Sequence, residues 1–283
     1  MPRVIAEHLR LSPGPVDLTA LPTDATPGFD GGKSEGKEAL EELGSELSDL
    51  QERLYAEGRS GGTRSVLLVL QGMDTSGKGG VVRHTVALVD PQGIEVTAFG
   101  PPTEEELAHD FLWRVRRALP APGRIGVFDR SHYEDVLVAK VRGLVEADEV
   151  ERRYDAINEL EAELLAQGTP VLKCFLHISP DEQRERLLKR LDRPDKHWKF
   201  DPVDIDDRQL WPQYRAAYET ALERTNTEVA PWYVVPADKK WYRNLAVGLL
   251  LRDTLVHLGP TWPDADVDVE AQRRRLLDEE PVR

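Results

Sequence analysis

A glycine-rich run with a single lysine carries the clearest chemical signal in the chain. Residues 72–79 read Gly-Met-Asp-Thr-Ser-Gly-Lys-Gly and match the pattern G-x-x-x-x-G-K, with an apolar run before them and a helix-like segment after them. Glycines allow backbone N–H groups to surround phosphate oxygens, and the ammonium of Lys78 can follow a phosphoryl group during its transfer. A chance match within a glycine-rich turn is the alternative. The pattern predicts a phosphate-binding loop formed by Gly72, Met73, Thr75, Ser76, Gly77, Lys78, Gly79 and Gly80.

Two carboxylates are suited to hold a metal ion beside this loop. Gly79 stands where such loops normally carry the Ser or Thr that binds magnesium, so one ligand is missing. Asp74, inside the loop, can replace it because carboxylates supply the hard oxygen that Mg²⁺ prefers; the alternative is a solvated turn residue. The apolar run 125–128 ends at Asp129, and the carboxyl ends of parallel strands face the ligand crevice. We therefore expect Mg²⁺, or Mn²⁺ in its place, at Asp74 and Asp129.

A basic segment follows further along the chain. Between residues 186 and 199, six Lys or Arg side chains accompany two Asp, which gives a local charge of +4 in a chain of net charge −14. Arg186 and Arg190 lie four residues apart, on one face of a helix, and their planar donor groups suit phosphate. A solvated helix face is the alternative for any one of these cations. Arg130, next to Asp129, could bind a phosphate oxygen or pair with a neighbouring acid.

Strands and helices alternate along the chain and would bring these residues to one edge of a sheet. Short β-branched and apolar runs predict strands at 65–72, 94–99, 124–129, 170–178 and 232–236. Amphipathic spacing predicts helices at 38–57, 79–89, 104–119, 149–167, 180–191 and 241–258. Strands joined by helices imply right-handed crossovers and a parallel sheet covered on both faces. The expected fold is α/β, with three α/β/α layers around a five-stranded, mostly parallel sheet.

The chain divides by composition into three parts. Residues 13–37 are rich in Pro, Gly, Thr and Asp, and residues 1–37 are expected to form an irregular leader that lies on the surface or is partly mobile. Residues 38–259 contain the alternating pattern and form one expected domain. Within it, residues from about 192 to 226 break the alternation and could close over a substrate as a helical lid. Residues 260–283 form a polar tail with no assigned role.

Charge, cysteine content and hydropathy exclude several classes of protein. A net charge of −14 argues against a nucleic-acid binder, because such proteins gain affinity from an excess of Lys and Arg. The apolar stretch 66–70 is far shorter than the roughly 20 residues that span a bilayer, so no membrane association is expected. The first residues lack the apolar run of a signal peptide. Cys174 is the single cysteine, and its strand-like setting predicts a buried thiol in a cytoplasmic protein.

Four motifs, in order, resemble the second family of polyphosphate kinases. They read GMDTSGKGG, FDRSHYEDVLV, RLLKRLDRPDKHWKFDPVDIDDR and APWYVVPADKKWYRN, and the similarity runs from about Leu43 to Leu258. The resemblance implies a P-loop NTPase fold with a thymidylate-kinase-like core and a lid. It also implies Mg²⁺-dependent, reversible transfer of the terminal phosphate of inorganic polyphosphate to ADP or AMP, with ATP among the nucleotides bound. A homodimer or homotetramer is the assembly that it suggests.

Matching positions carry the family's site residues onto this chain. The catalytic residues implied are Asp74, Lys78, Asp129, Arg130 and Arg190, with magnesium on the two aspartates. Substrate contacts beyond the loop are implied for Glu134, Arg186, Lys196, Lys199, Asp204 and Arg208. Residues 133–138 read Tyr-Glu-Asp-Val-Leu-Val, which looks like the class that accepts both AMP and ADP. Members of that class often carry Asn where Asp129 stands.

The expected chemistry is direct, in-line attack of a nucleotide phosphate oxygen on the terminal phosphorus of polyphosphate. A phosphohistidine route is disfavoured, because five histidines lie in different motifs with no obvious activating partner: His84, His109, His132, His177 and His197. One alternative is an ATP-dependent nucleotide or small-molecule kinase that uses the same loop. Another is a nucleotide-sensing switch, which would need segments that reorder with the γ-phosphate rather than a basic lid.

Overall fold

Five parallel strands form the central sheet, in the order β2-β3-β1-β4-β5. A computed structural model describes residues 2–279 of the chain. The strands are β1 (Val66–Gln71), β2 (Ile94–Ala98), β3 (Ile125–Asp129), β4 (Val171–His177) and β5 (Trp232–Pro236). All five coincide with the predicted strands to within one residue at each end. Because β1 lies between β3 and β4, the segments that follow these three strands meet at one edge of the sheet.

Helices cover both faces of this sheet. In chain order they are α1 (Pro2–Leu9), α2 (Lys33–Arg59), α3 (Lys78–His84), α4 (Glu104–Leu107), α5 (Trp113–Arg117), α6 (Glu134–Val141), α7 (Ala147–Ala166), α8 (Pro180–Leu191), α9 (Val203–Gln209), α10 (Trp211–Thr225), α11 (Lys240–Leu258) and α12 (Val269–Asp278). Short 3₁₀ turns lie at Leu18–Ala20, Val86–Leu88, Pro91–Gly93 and Pro194–Lys199. Within residues 2–279, no helix combines the length and the apolar character that crossing a membrane requires.

The alternation of side chains along β1 explains the three layers. Val66, Leu68 and Leu70 point into a core shared with α1, α2, α3 and α11, whereas Leu67 and Val69 point into a core shared with α5, α6, α7 and α10. All six residues of β1 are buried, as expected for a parallel strand covered on both faces. Cys174 of β4 is buried as predicted, and burial raises the pKa of its thiol well above the ordinary value. The α/β/α architecture predicted from the sequence is confirmed.

Several predicted helices differ from those observed. The helix predicted at 104–119 is two short helices, α4 and α5, because the Asp110 carboxylate accepts a hydrogen bond from the Leu112 amide and turns the chain between them. The predicted helix 79–89 ends at His84 and continues as a 3₁₀ turn. Helix α6 was not predicted, since its Val-Leu-Val run favours a strand on propensity alone.

The two ends of the chain are more regular than predicted. Residues 1–37 were expected to be irregular, but α1 places Ile5 and Leu9, one helical turn apart, in the core. The Leu11 amide then donates to the Trp232 carbonyl oxygen at the edge of β5. Helix α2 begins at Lys33, five residues before the predicted start, where Glu35 accepts from the Gly32 amide. The tail contains α12, which the polar composition did not predict.

Candidate active site

The glycine-rich run forms a tight turn between β1 and α3, the setting that its pattern requires. Gly72 and Gly77 have φ values of 149° and 109°, in the region that glycine alone adopts readily. A Cβ atom on Gly72 would lie 2.6 Å from the carbonyl oxygen of Leu176, so the close approach of β4 also demands glycine. Thr75 adopts a φ of 63°, which strains a β-branched residue. The turn is therefore fixed by its glycines and by its packing against β4.

Lys78 lies folded across the mouth of this turn. Its Nζ donates to the carbonyl oxygens of Gly72, at 2.7 Å, and of Met73, at 3.4 Å, and the residue is only 8% exposed. Both acceptors are uncharged, and the carboxyl groups of Asp74 and Glu134 lie within the field of the ammonium. An anion seated in the turn would meet the charge of this ammonium together with the amides at the start of α3.

Asp74 and Arg130 form an ion pair at the top of the sheet. Nη2 of Arg130 lies 2.6 Å from Oδ1 of Asp74. Burial opposes ionisation of Asp74, but Lys78 and Arg130 outweigh it and hold the pKa of this carboxyl below its ordinary value. The sequence left open whether Arg130 binds phosphate or a neighbouring acid, and in the structure it pairs with Asp74. Asp74 is thus an ionised carboxylate with Oδ2 outside the pair.

Two further carboxylates follow β3. Asp129 ends the strand, and a Cβ atom on Gly79 would lie 3.8 Å from its Oδ2, so this carboxylate faces the turn. Glu134, the first residue of α6, accepts a hydrogen bond from Nε2 of Gln71 at 3.2 Å. Burial raises the pKa of Glu134, against the opposing attraction of Arg130 and Lys78. Asp129 and Asp74 are carboxylate oxygen donors that line the cleft beside the turn.

The donor set fits a metal ion shared with a substrate. Within residues 2–279, no three His, Cys, Asp or Glu side chains converge closely enough to hold a metal by themselves. Magnesium commonly binds through one or two carboxylates and completes its shell with phosphate oxygens and water. Asp74 and Asp129 match that pattern, and Oδ1 of Asp74 is already taken by Arg130.

Arg186 lines the cleft, and its guanidinium is bonded to protein groups; its contact with phosphate stays a prediction. Nε donates to Glu182, and Nη1 donates to the carbonyl oxygens of Thr75 and Ser76. Nη2 donates to the carbonyl oxygens of Ala237 and Asp238. These bonds use all five N–H groups that an arginine possesses. Arg186 therefore ties the turn to α8 and to the segment after β5.

Arg190, one turn further along α8, reaches the 192–226 segment. Nη1 donates to the carbonyl oxygen of Lys199, at 3.1 Å, and to Oδ2 of Asp204, at 3.2 Å. Burial and the charge of Asp74 raise the pKa of Asp204. Nζ of Lys199 lies 4.8 Å from the ring centre of Trp198, a side chain that is 77% exposed. This arrangement links α8 to the segment through one arginine while leaving the Lys199 ammonium near solvent.

The remaining predicted residues separate into two groups. Lys196 pairs with Asp195 at 3.1 Å and still lines the open cleft above the turn. Arg208 donates to the Pro180 carbonyl oxygen and to Oε1 of Gln183, so it fastens α9 to α8 and does not line the cleft. Its contact with substrate stays a prediction. Predicted residues that shape the turn or lie behind it without lining the cleft are Gly72, Met73, Ser76 and Glu134.

The cleft above the turn is large and basic. Its volume is about 1920 Å³, and fourteen of its lining residues are Lys or Arg against nine Asp or Glu. Sequence reasoning missed Lys33 and Lys37 of α2, because their segment was read as irregular. It also missed Arg83 at the end of α3. Lys239, Lys240 and Arg243 lie within the last recognised motif, which could have revealed them.

The histidines are mostly remote from this cleft. The ring of His109 stacks on Trp113, and His177 and His197 interact with backbone carbonyl oxygens. His132 is fully buried, with Nε2 3.7 Å from Oε1 of Glu161. Among residues 2–279, His84 is the histidine that lines the cleft.

Comparison with known proteins bears on this site. The sequence model of the family described as Polyphosphate kinase 2 matches residues 31–258. An AMP/ADP-polyphosphate phosphotransferase from Meiothermus ruber is 49% identical over 257 residues, which are 91% of this chain and 95% of that protein. An ADP-polyphosphate phosphotransferase from Rhodopseudomonas palustris is 42% identical over 274 residues, which are 93% of this chain and 92% of that protein.

Comparison of the fold with solved structures indicates the same family as comparison of the sequence. The crystal structure of polyphosphate kinase 2 from Arthrobacter aurescens TC1 superposes with a TM-score of 0.94, at 50% identity, over 97% of each chain. The family expected from the four motifs is thereby confirmed. This chain belongs to the polyphosphate kinase 2 family of phosphotransferases, which move phosphate between polyphosphate and nucleotides.

Proposed function

We propose that this protein transfers the terminal phosphate of inorganic polyphosphate to ADP and to AMP, reversibly and in a single in-line step. The observation that carries the proposal is the basic cleft, in which cations from α2, α3, α8, the 192–226 segment and α11 surround the glycine turn. Its volume of about 1920 Å³ exceeds the roughly 300–1,000 Å³ of a small-molecule pocket. A nucleotide and a length of phosphate polymer can therefore occupy it together.

The acceptor assignment rests on the relatives and on the residues after β3. The Meiothermus ruber relative is named for both AMP and ADP, whereas the Rhodopseudomonas palustris relative is named for ADP. The more similar of these two proteins is the one that takes both acceptors. Residues 133–138 also resemble the class that accepts both.

Each side chain then has a role that its position supports. Lys78 and the amides of the turn hold the phosphate at which transfer occurs, and Arg190 neutralises charge that develops during transfer. Lys196 and Lys199 hold neighbouring phosphates from the 192–226 segment, which acts as the lid. Little covalent help is needed for phosphoryl transfer, so positioning and charge supply most of the acceleration.

Phosphotransferases of this kind generally depend on a divalent metal ion. We assign Mg²⁺, with Mn²⁺ as a substitute, to Asp74 and Asp129; when bound it would neutralise phosphate charge and align the reacting oxygens. Oδ1 of Asp74 accepts a hydrogen bond from Arg130 and holds this arginine at the edge of the cleft, which leaves Oδ2 for the metal ion.

Assembly and compartment follow from the resemblance and from composition. A homodimer or homotetramer is the proposed assembly, and analytical ultracentrifugation determines which is present. A single cysteine in an acidic chain is consistent with the cytoplasm as the proposed compartment. The proposed catalytic domain is residues 38–259, with a lid at about 192–226.

One assay tests the proposed reaction. Purified protein is mixed with Mg²⁺, long-chain polyphosphate and either ADP or AMP, and nucleotides are separated by ion-exchange chromatography. Formation of ATP from ADP and of ADP from AMP supports the proposal. Failure with both acceptors, together with transfer from ATP to an organic acceptor, would replace it with an ATP-dependent kinase.

A further inference from the structure

Arg243 is a buried arginine that packs against the glycine turn at the border of the cleft. It lies near the start of α11, and the residue is 3% exposed. Nη1 donates to the carbonyl oxygen of Ser76 at 3.0 Å. Nε and Nη2 donate to Oδ1 of Asn244, at 3.2 and 2.8 Å. The guanidinium is therefore held in one orientation, with one edge against the backbone of the turn.

Two glycines leave the space that this guanidinium fills. A Cβ atom on Gly77 would lie 1.8 Å from Nη1, and a Cβ atom on Gly80 would lie 2.6 Å from Nη2. Gly77 has a positive φ and would be glycine in any case. Gly80 lies in α3 with ordinary helical backbone, where alanine is otherwise preferred. The close approach of Arg243 therefore explains why glycine, and not alanine, occupies position 80.

The charge of Arg243 has no acidic partner among residues 2–279. Its acceptors are a backbone carbonyl and an amide, and the charged group nearest in effect is Arg186, which has the same sign. Burial and this repulsion lower the pKa of Arg243. An unpaired buried charge is costly, and buried charges are normally paired with an opposite charge. The anion that would balance it is the one that the turn is shaped to hold.

We propose that Arg243 is a positioning residue for the phosphate bound in the turn, and that this phosphate supplies the missing counter-charge across the backbone of Ser76 and Gly77. The proposal rests on the function proposed above for the turn. Arg243 borders the cleft, but its Nη1 is bonded to the carbonyl oxygen of Ser76, so it acts through the backbone it holds and through its field. The ligand class is an inorganic or nucleotide polyphosphate carrying several negative charges.

Calorimetric binding of tripolyphosphate in the presence of Mg²⁺ tests this inference without turnover. Arg243→Met, which keeps the volume and removes the charge, is expected to weaken binding about tenfold, equivalent to about 1.4 kcal/mol. Arg243→Lys keeps the charge and is expected to recover affinity to within about threefold of the unsubstituted protein. Arg252→Met is the matched control, because Arg252 is also buried on α11 but pairs with Glu46 and Asp253. It should leave the affinity unchanged.

The outcomes separate this inference from the proposed function. If the unsubstituted protein does not bind tripolyphosphate, the turn is not a phosphate site and both proposals fail. If it binds, and Arg243→Met binds equally well, the inference about Arg243 fails while the proposed function stands. Equal weakening in Arg243→Met and Arg243→Lys would overturn the role of the charge.

A double-mutant cycle keeps the inference testable should Arg243→Met fold poorly. Gly80→Ala alone forces the guanidinium away and should weaken tripolyphosphate binding, whereas in an Arg243→Ala background the same change should cost nothing further. An equal loss in both backgrounds would contradict the contact between Gly80 and Arg243.

Discussion

Arg130 donates to Asp74 across the top of the sheet, with Nη2 and Oδ1 2.6 Å apart. The pair joins the segment after β3 to the turn after β1, two neighbouring strands whose carboxyl ends meet at the cleft. Arg130 adopts a φ of 64°, a strained conformation for a residue with a side chain. Backbone strain of this kind persists only where surrounding contacts enforce it, and here it aims the arginine at Asp74.

Removing the charge of Asp74 should abolish transfer and preserve the fold. Asp74→Asn keeps the size of the side chain but weakens both the metal site and the partner of Arg130, so kcat should fall at least about 100-fold. Steady-state assays with ADP and polyphosphate measure the effect, and circular dichroism verifies the fold. Asp49→Asn, which breaks a half-buried pair with Arg53 on α2 outside the cleft, is the control and should keep full activity. Full activity in Asp74→Asn would contradict its assigned role.

Replacing Arg186 should mainly lower the stability of the fold. Arg186→Lys keeps the charge but cannot supply five donors to the turn and to the segment after β5, so the free energy of unfolding should fall by about 2–4 kcal/mol. Urea denaturation measures it. Arg184→Lys, at an exposed position on the same helix, should change it by less than about 0.5 kcal/mol. Unchanged stability with a selective loss of phosphate affinity would contradict this structural role and support the prediction that Arg186 contacts substrate.

The unsubstituted protein should be less stable at neutral pH than the Glu134→Gln variant. The folded pKa of Glu134 is raised by burial, so the ionised form is disfavoured in the folded state above that pKa. Glu134→Gln should raise the free energy of unfolding at pH 7. The gain should shrink as the pH falls through the folded pKa and vanish below the ordinary value of 4.5. Denaturation curves from pH 4 to pH 8 give the comparison; a gain that is independent of pH would exclude this origin.

The α2 end of the cleft should matter for long polymers and not for short ones. Lys33 and Lys37 line the cleft from the start of α2. Replacing both with Gln should raise the KM for long-chain polyphosphate roughly three- to tenfold at low salt, with kcat unchanged. Lys140→Gln, which removes an ammonium outside the cleft, is the matched control. An equal effect on tripolyphosphate, or no effect on long chains, would place the polymer elsewhere.

The structural features around the site whose placement the sequence predicted correctly are local. The glycine turn, β1 and the carboxylate at the end of β3 each follow from a short pattern whose geometry is set by neighbouring residues. Arg186 was assigned to phosphate because its spacing places it on the same helix face as Arg190. The spacing of residues along a helix cannot show that the carbonyl oxygens of Thr75 and Ser76 accept hydrogen bonds from Arg186 in the folded chain.

The residues that were missed depend on contacts distant in sequence. Lys33 and Lys37 reach the cleft because α2 begins early and packs closely on α11: a Cβ atom on Gly36 would lie 2.2 Å from Cε3 of Trp241. The guanidinium of Arg243 fills the space left by Gly77 and Gly80, which lie more than 160 positions away in the sequence. The spacing of residues within α2 or within α11 does not indicate these contacts, so they become visible only in the folded chain.

The central claim is that the glycine turn, Lys78 and a metal ion held by Asp74 and Asp129 converge on the end of a phosphate chain. A crystal structure with Mg²⁺ and tripolyphosphate tests this most directly. The account predicts a terminal phosphate against the amides of the turn, within hydrogen-bond distance of Lys78, and a metal ion on one or both aspartates. Tripolyphosphate bound elsewhere in the cleft, with the turn empty and both aspartates directed away from it, would contradict the account.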